Sequence, residues 1–163
     1  MPFQPLLERF RDVAINETRA VAVAGDPSLP DGRYLFTELF CNEADCDCRR
    51  ALLHVLRSDD VSAGSYAPLA TLSFGWEDER FYREWASFPL TDEDLRELKG
   101  PALQRLTQQS RLAPALLRVF ETAVVDDEYV ERLARHYKLF RTAIEGRRRL
   151  RVAAMNTKRI RKR

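Results

Sequence analysis

The chain reads as an α+β protein, a four-stranded antiparallel meander packed against a C-terminal helical bundle or hairpin. Three observations predict this. Short apolar runs with period two fill the segment before Trp76, Gly-, Pro- and Asp-rich turns separate them, and helical spacing takes over afterwards. With 163 residues, 45% hydrophobic and 32% charged, the composition suits one globular domain with a real core.

Pro2 to Val13 is expected to form a short amphipathic helix, because Leu6, Leu7, Phe10 and Val13 recur at helical spacing and Pro5 suits a first turn. Thr18 to Ala24 alternates small and β-branched residues and predicts a strand. GDPSLPDG is then a loop joining antiparallel strands. Arg33 to Cys41 predicts the second strand, with Tyr34, Phe36, Glu38 and Phe40 on one face. Arg50 to Arg57 and Ala67 to Trp76 complete the meander.

Helices are expected over about 77–145. Glu77 to Trp85 starts them, and Trp76, Phe81, Tyr82 and Trp85 should pack that start against the sheet. Thr91 should cap the DEDLRELK turn, with Gly100-Pro101 as its stop. Ser110 should cap a helix from Arg111 to about Val125 that takes Pro114 in its first turn. Asp126-Asp127 should cap a last helix ending near Ile144, whose stripe is Tyr129, Val130, Leu133, Tyr137, Phe140 and Ile144.

Charge divides the chain. Residues 1–145 carry 18 basic and 25 acidic side chains, a net of −7. The tail 146–163 has no acid and nine bases: Arg147, Arg148, Arg149, Arg151, Lys158, Arg159, Arg161, Lys162 and Arg163. The expectation is one domain over 1–145 and a partly disordered basic tail that prolongs the last helix before fraying. Such a tail suits contact with nucleic acid through counterion release, or with an acidic protein partner. A plain solvated end is the simpler alternative. No apolar run reaches the length of a membrane span, and the N-terminus lacks the pattern of a secretory signal, so a cytoplasmic protein is expected.

The chemistry concentrates in Cys41-Asn-Glu-Ala-Asp-Cys46-Asp-Cys48, which holds all three cysteines. An odd count argues against a disulfide framework, and the intervening Asn42, Glu43, Asp45 and Asp47 are turn residues, unlike the setting of a core cysteine. Three thiols at a hairpin tip suit a soft tetrahedral ion, and zinc is the expected cofactor. A closed site needs a fourth ligand. His54 lies several strand residues from the turn, whereas His136 on the last helix is deliverable to it across the sheet. His136 is the expected ligand, with Asp45 or Asp47 as alternatives. A Cys46–Cys48 redox pair is the competing reading: Arg49 and Arg50 favour thiolate, and Asp45 and Asp47 oppose it. Both arginines are expected to be solvated at the strand start or paired with the nearby acids.

Other catalytic signatures are missing from the sequence. It contains no Gly-rich phosphate loop, no GxSxG elbow and no HExxH helix, so no hydrolase triad and no small-molecule cofactor is predicted. GWEDERFYREW has the composition of an aromatic base-stacking platform, but a core role is the expectation.

ELFCNEADCDCRRALLHV resembles a motif of an uncharacterised bacterial protein family, in which a strand ends in Cys and Cys-Asp-Cys-Arg-Arg follows four residues later. GWEDERFYREW, LKGPAL, QSRLAPALLRVF and DDEYVERLARHYKLF are similar to later parts of the same family, so the resemblance spans roughly Leu29 to Phe140. The His-Tyr pair of the last helix belongs to that pattern, which strengthens His136 as ligand. Members often continue into a cysteine-rich SEC-C zinc motif, whereas here the basic run follows and no cysteine comes after Cys48. The resemblance implies no established activity. The reading is therefore a small zinc-stabilised binding or adaptor module without catalysis of its own, with nucleic-acid binding through the tail or thiol redox chemistry as alternatives.

Overall fold

Alternating apolar residues between Arg19 and Gly75 form an antiparallel sheet, and the last helical segments cover the sheet's aromatic face. The structure is a computed structural model that describes the backbone of residues 2–160 and the side chains of residues 2–146. In chain order the elements are β1 (Phe3–Pro5), a 3-10 turn (Leu6–Glu8), α1 (Arg11–Glu17), β2 (Arg19–Val23), β3 (Gly32–Cys41) and β4 (Arg50–Arg57). Then follow α2 (Ser58–Ser62), β5 (Ala70–Gly75), α3 (Glu79–Trp85), α4 (Asp92–Lys99), β6 (Ala102–Leu103), α5 (Ala113–Val119), a π turn (Phe120–Val124) and α6 (Asp127–Ile160).

The expected meander is β2-β3-β4-β5, all antiparallel. Two short strands extend it. β6 pairs with β5, and β1 pairs with the end of β3. β1 and β2 share one edge of β3: β1 lies opposite Leu39–Cys41 and β2 opposite Gly32–Phe36. Thr37 and Glu38 fall between the two registers, with β4 on their other side.

Tyr34, Phe36, Glu38 and Phe40 share a face, as the period of two requires, and all are buried. Phe120 meets Phe36, Phe74 and Tyr129 with ring centroids 5.7, 5.8 and 6.1 Å away. Further along α6, Phe140 and Tyr137 meet Phe40 at 5.7 and 6.1 Å, and Trp76 meets Tyr137 at 5.3 Å. These tilted and edge-on pairs suit aromatic quadrupoles. On the opposite face Ser73 donates to the Glu97 carbonyl at 2.5 Å, which ties α4 to β5.

Three expectations are corrected. The N-terminal segment is a strand, a 3-10 turn and a helix beginning only at Arg11, because backbone pairing of Phe3–Pro5 with Leu39–Cys41 outweighs the helical spacing of its apolar residues. Ser110 makes a local turn, accepting a hydrogen bond from the Leu112 amide at 3.1 Å, and α5 starts after it and widens into the π turn. Arg50 is buried with its guanidinium hydrogen-bonded to Ser73 Oγ at 3.0 Å, so it is no solvated strand start. The last helix does run on past Ile144 and Gly146, as the expected prolongation implies, and reaches Ile160. Arg161, Lys162 and Arg163 lie outside the described residues, as do the side chains of Arg147, Arg148, Arg149, Arg151, Lys158 and Arg159.

The Thr91 cap forms as expected. Its hydroxyl accepts from the Asp94 amide at 3.1 Å, and the Asp94 carboxylate accepts from the Thr91 amide at 3.0 Å, a reciprocal capping box. Of the four aromatics around α3, Tyr82 is wholly buried and Trp76 packs on the core, whereas Trp85 is about one-third exposed.

Candidate metal centre

Cys41 is the last residue of β3, and Cys46 and Cys48 sit in the loop that leads to β4. β1 holds the near end of that loop: Phe3 pairs with Cys41, and the Asn42 amide donates to the Pro2 carbonyl at 2.7 Å. A turn closed by the Cys46 amide on the Glu43 carbonyl at 3.3 Å folds the chain back. At the far end Arg49 takes a left-handed φ of 43° to enter β4. The hydroxyl of Tyr82 donates to the Arg49 carbonyl at 2.9 Å. Gly75 makes room for that hydroxyl, since a Cβ there would overlap both it and the Leu98 carbonyl.

Two residues one turn apart on α6 grip the loop from the other side. Arg141 is buried; Nη1 donates to the Glu43 carbonyl at 2.6 Å and the Cys41 carbonyl at 3.5 Å, and Nη2 to the Ala44 carbonyl at 2.6 Å. Tyr137 donates to Asp47 at 3.3 Å and lies 3.5 Å from the Cys46 carbonyl. Arg49 takes up the Asp47 carboxylate as well, through Nη2 at 2.9 Å, and its guanidinium also reaches Glu77 and covers the Phe81 ring.

This packing gathers the three sulfurs. All Sγ atoms lie within 4.8 Å of one another, and no disulfide joins them. Cys41 and Cys48 are buried, and Cys46 is half-buried. The thiols share protons. Hydrogen bonds from Cys41 and then Cys48, with the positive charge of Arg141 nearby, push the Cys46 pKa well down and favour its thiolate. Cys41 and Cys48 shift upward, chiefly because each donates within the cluster and both are desolvated. Such a set can hold a metal ion, which would replace the shared protons.

His136 is not part of this group. It is 1% exposed, with Nδ1 2.6 Å from Glu38 Oε2 and Nε2 3.1 Å from Glu17 Oε2. Both ring nitrogens are committed to carboxylates, so the expectation that His136 completes the thiol set is corrected. Asp47 is likewise engaged, by Arg49 and Tyr137. His54 lies half-buried in mid-β4 between Thr37 and Thr71, away from the loop as strand geometry requires.

Arg141 and Tyr137 went unread in the sequence as loop holders, although their spacing of four on one helix was visible. Glu38 also carried a signal. A lone acid on a strand face otherwise occupied by Tyr34, Phe36 and Phe40 requires a buried partner. Among the described residues no helix is long and apolar enough to cross a membrane. In comparisons with protein-family models, curated proteins and solved structures, nothing matches this chain.

Proposed function

We propose that the protein is a small zinc-stabilised binding or adaptor module, with Cys41, Cys46 and Cys48 as ligands and no catalysis of its own. The observation that carries this reading is the convergence of three unoxidised sulfurs in a loop pre-shaped by Arg141 and Tyr137. Tetrahedral zinc with Zn–S bonds of about 2.3 Å spaces its thiolates roughly 3.8 Å apart, a spacing inside the 4.8 Å that bounds the present cluster. Bound there, zinc supplies folding energy and fixes the β3–β4 hairpin against α6. The fourth position falls to water or to a donor from a partner. Cys46 lines a cleft of about 430 Å³ that it shares with Trp85 and the exposed Phe88, which suits a binding surface. An open fourth position is also the habit of catalytic zinc, but both nitrogens of His136 are committed elsewhere and His54 is remote, which favours a structural role.

Metal analysis of protein made in zinc-replete medium should give about one zinc per chain. Less than half an equivalent would overturn the reading. Cys46→Ser should lose the metal and melt at markedly lower temperature; an unchanged melting curve with retained zinc would count equally against it.

The half-burial of Cys46, with the Cys48 sulfur close beside it, favours a second reading, a redox dithiol of the two. Alkylation separates the two. A zinc site protects the thiols until chelator is added, whereas a redox pair reacts at once without it. Nucleic-acid contact through the basic residues 147–163 rests on their charge. Truncation after Glu145 should abolish salt-sensitive binding to duplex DNA, and retained affinity would end the idea.

A further inference from the structure

The edge of β3 carries a second feature, built from residues that the thiol cluster does not use. Where β1 and β2 leave Thr37 and Glu38 without a strand partner on this edge, a cavity of about 480 Å³ is lined by both residues and by His54 and His136. Its walls are mostly apolar, with Leu35 and Leu56 from the sheet and Val61 from α2. Leu7, Ile15 and Tyr66, three of the large apolar side chains most exposed to solvent, also line it. A mostly apolar cavity in the range of about 300–1,000 Å³, with a few convergent polar groups, is the usual form of a small-molecule site.

The polar groups define the ligand. Glu38 is 5% exposed; Oε2 is taken by His136, and Oε1 is buried with no hydrogen-bond partner among the described residues. An unmet buried acceptor is costly, and a donor from a ligand would satisfy it. Glu38 faces the His136 ring, and Glu17 is held by Arg135 and Arg132 as well as His136. An anion would meet the unpartnered oxygen of Glu38, and the mostly apolar walls leave a fixed positive charge poorly solvated. Arg33, exposed, is the cation that lines the cavity directly. We infer that this cavity binds a small, uncharged, largely apolar molecule whose polar end is a hydroxyl donating to Glu38 Oε1.

The test uses the full, zinc-loaded chain and four probes of one shape: para-hexylphenol, para-hexylanisole, para-hexylbenzoate and para-hexylbenzylammonium. Calorimetric titration should show one-to-one binding of the phenol, with the anisole weaker by about tenfold or more, since a hydrogen bond to a charged acceptor is worth at least that. In Glu38→Gln the amide keeps an oxygen for His136 and can place its NH₂ where Oε1 stood, so the phenol's advantage over the anisole should vanish. Ile15→Asp, an exposed change that keeps the test valid if Glu38→Gln does not fold, should weaken the phenol by about tenfold through loss of apolar lining. Backbone amide shifts on adding the phenol should centre on Ile15, Leu56, Val61 and Tyr66. Equal affinity for phenol and anisole in the wild type, tighter binding of the benzoate or the ammonium, a phenol preference that survives Glu38→Gln, or shifts centred on Trp85 and Phe88 would each overturn the inference.

Discussion

Arg141 shows how one side chain can organise a loop that carries chemistry. Its guanidinium meets three successive stretches of the cysteine loop through the carbonyls of Cys41, Glu43 and Ala44, and its charge favours the Cys46 thiolate. Replacing it with Met keeps much of the apolar stem but leaves those carbonyls without their donor. Groups that orient metal ligands are typically worth 10–100-fold in affinity. Arg141→Met should therefore weaken zinc binding by roughly that factor, read by competition with a chromophoric chelator. Lysine should rescue only in part, because a single ammonium cannot reproduce the fork.

At the scale of elements, the link between α6 and the sheet is aromatic. Phe120 is fully buried where the π turn leaves α5, and it touches rings from β3, β5 and α6 at once. Phe120→Ala should destabilise by about 3–5 kcal/mol, measured by urea unfolding, because no single neighbour can close the cavity. The meander and the Thr91 cap were legible beforehand because each depends on residues close in sequence: alternation within a strand, or a cap beside the turn it starts. Phe3–Pro5 was misread for the converse reason. Its strand exists only because the end of β3 offers an unpaired edge, and nothing within residues 2–13 reports that edge.

Across the whole molecule, Glu17, Glu38 and His136 join α1, β3 and α6 through one buried ring. Arg135, then His136, holds the Glu17 carboxyl down at about 2 from its ordinary 4.5. A carboxylate depressed in the folded state contributes stability that is whole above about pH 4.5 and is lost as pH falls through about 2. Glu17→Gln should accordingly lower the urea midpoint at neutral pH, and its deficit against the wild type should shrink steadily between about pH 4.5 and pH 2. A deficit that stays constant across that window would show that Glu17 acts by shape alone.

The local chemistry of this protein was written in the order of its residues. The α+β class, the four central strands, the Thr91 and Asp126 caps and the grouping of three thiols all follow from neighbours in the chain, since periodicity, turn residues and short spacings act over a few residues. The tertiary structure decided who stands opposite whom. It set His136 between two carboxylates rather than beside the sulfurs, gave Arg141 and Tyr137 the task of holding the loop, and opened a cavity where two strands share one edge. Those outcomes depend on contacts between residues roughly 90 to 120 positions apart. Burial and hydrogen-bond satisfaction across that distance are properties of the packed chain, and no short window of sequence contains them.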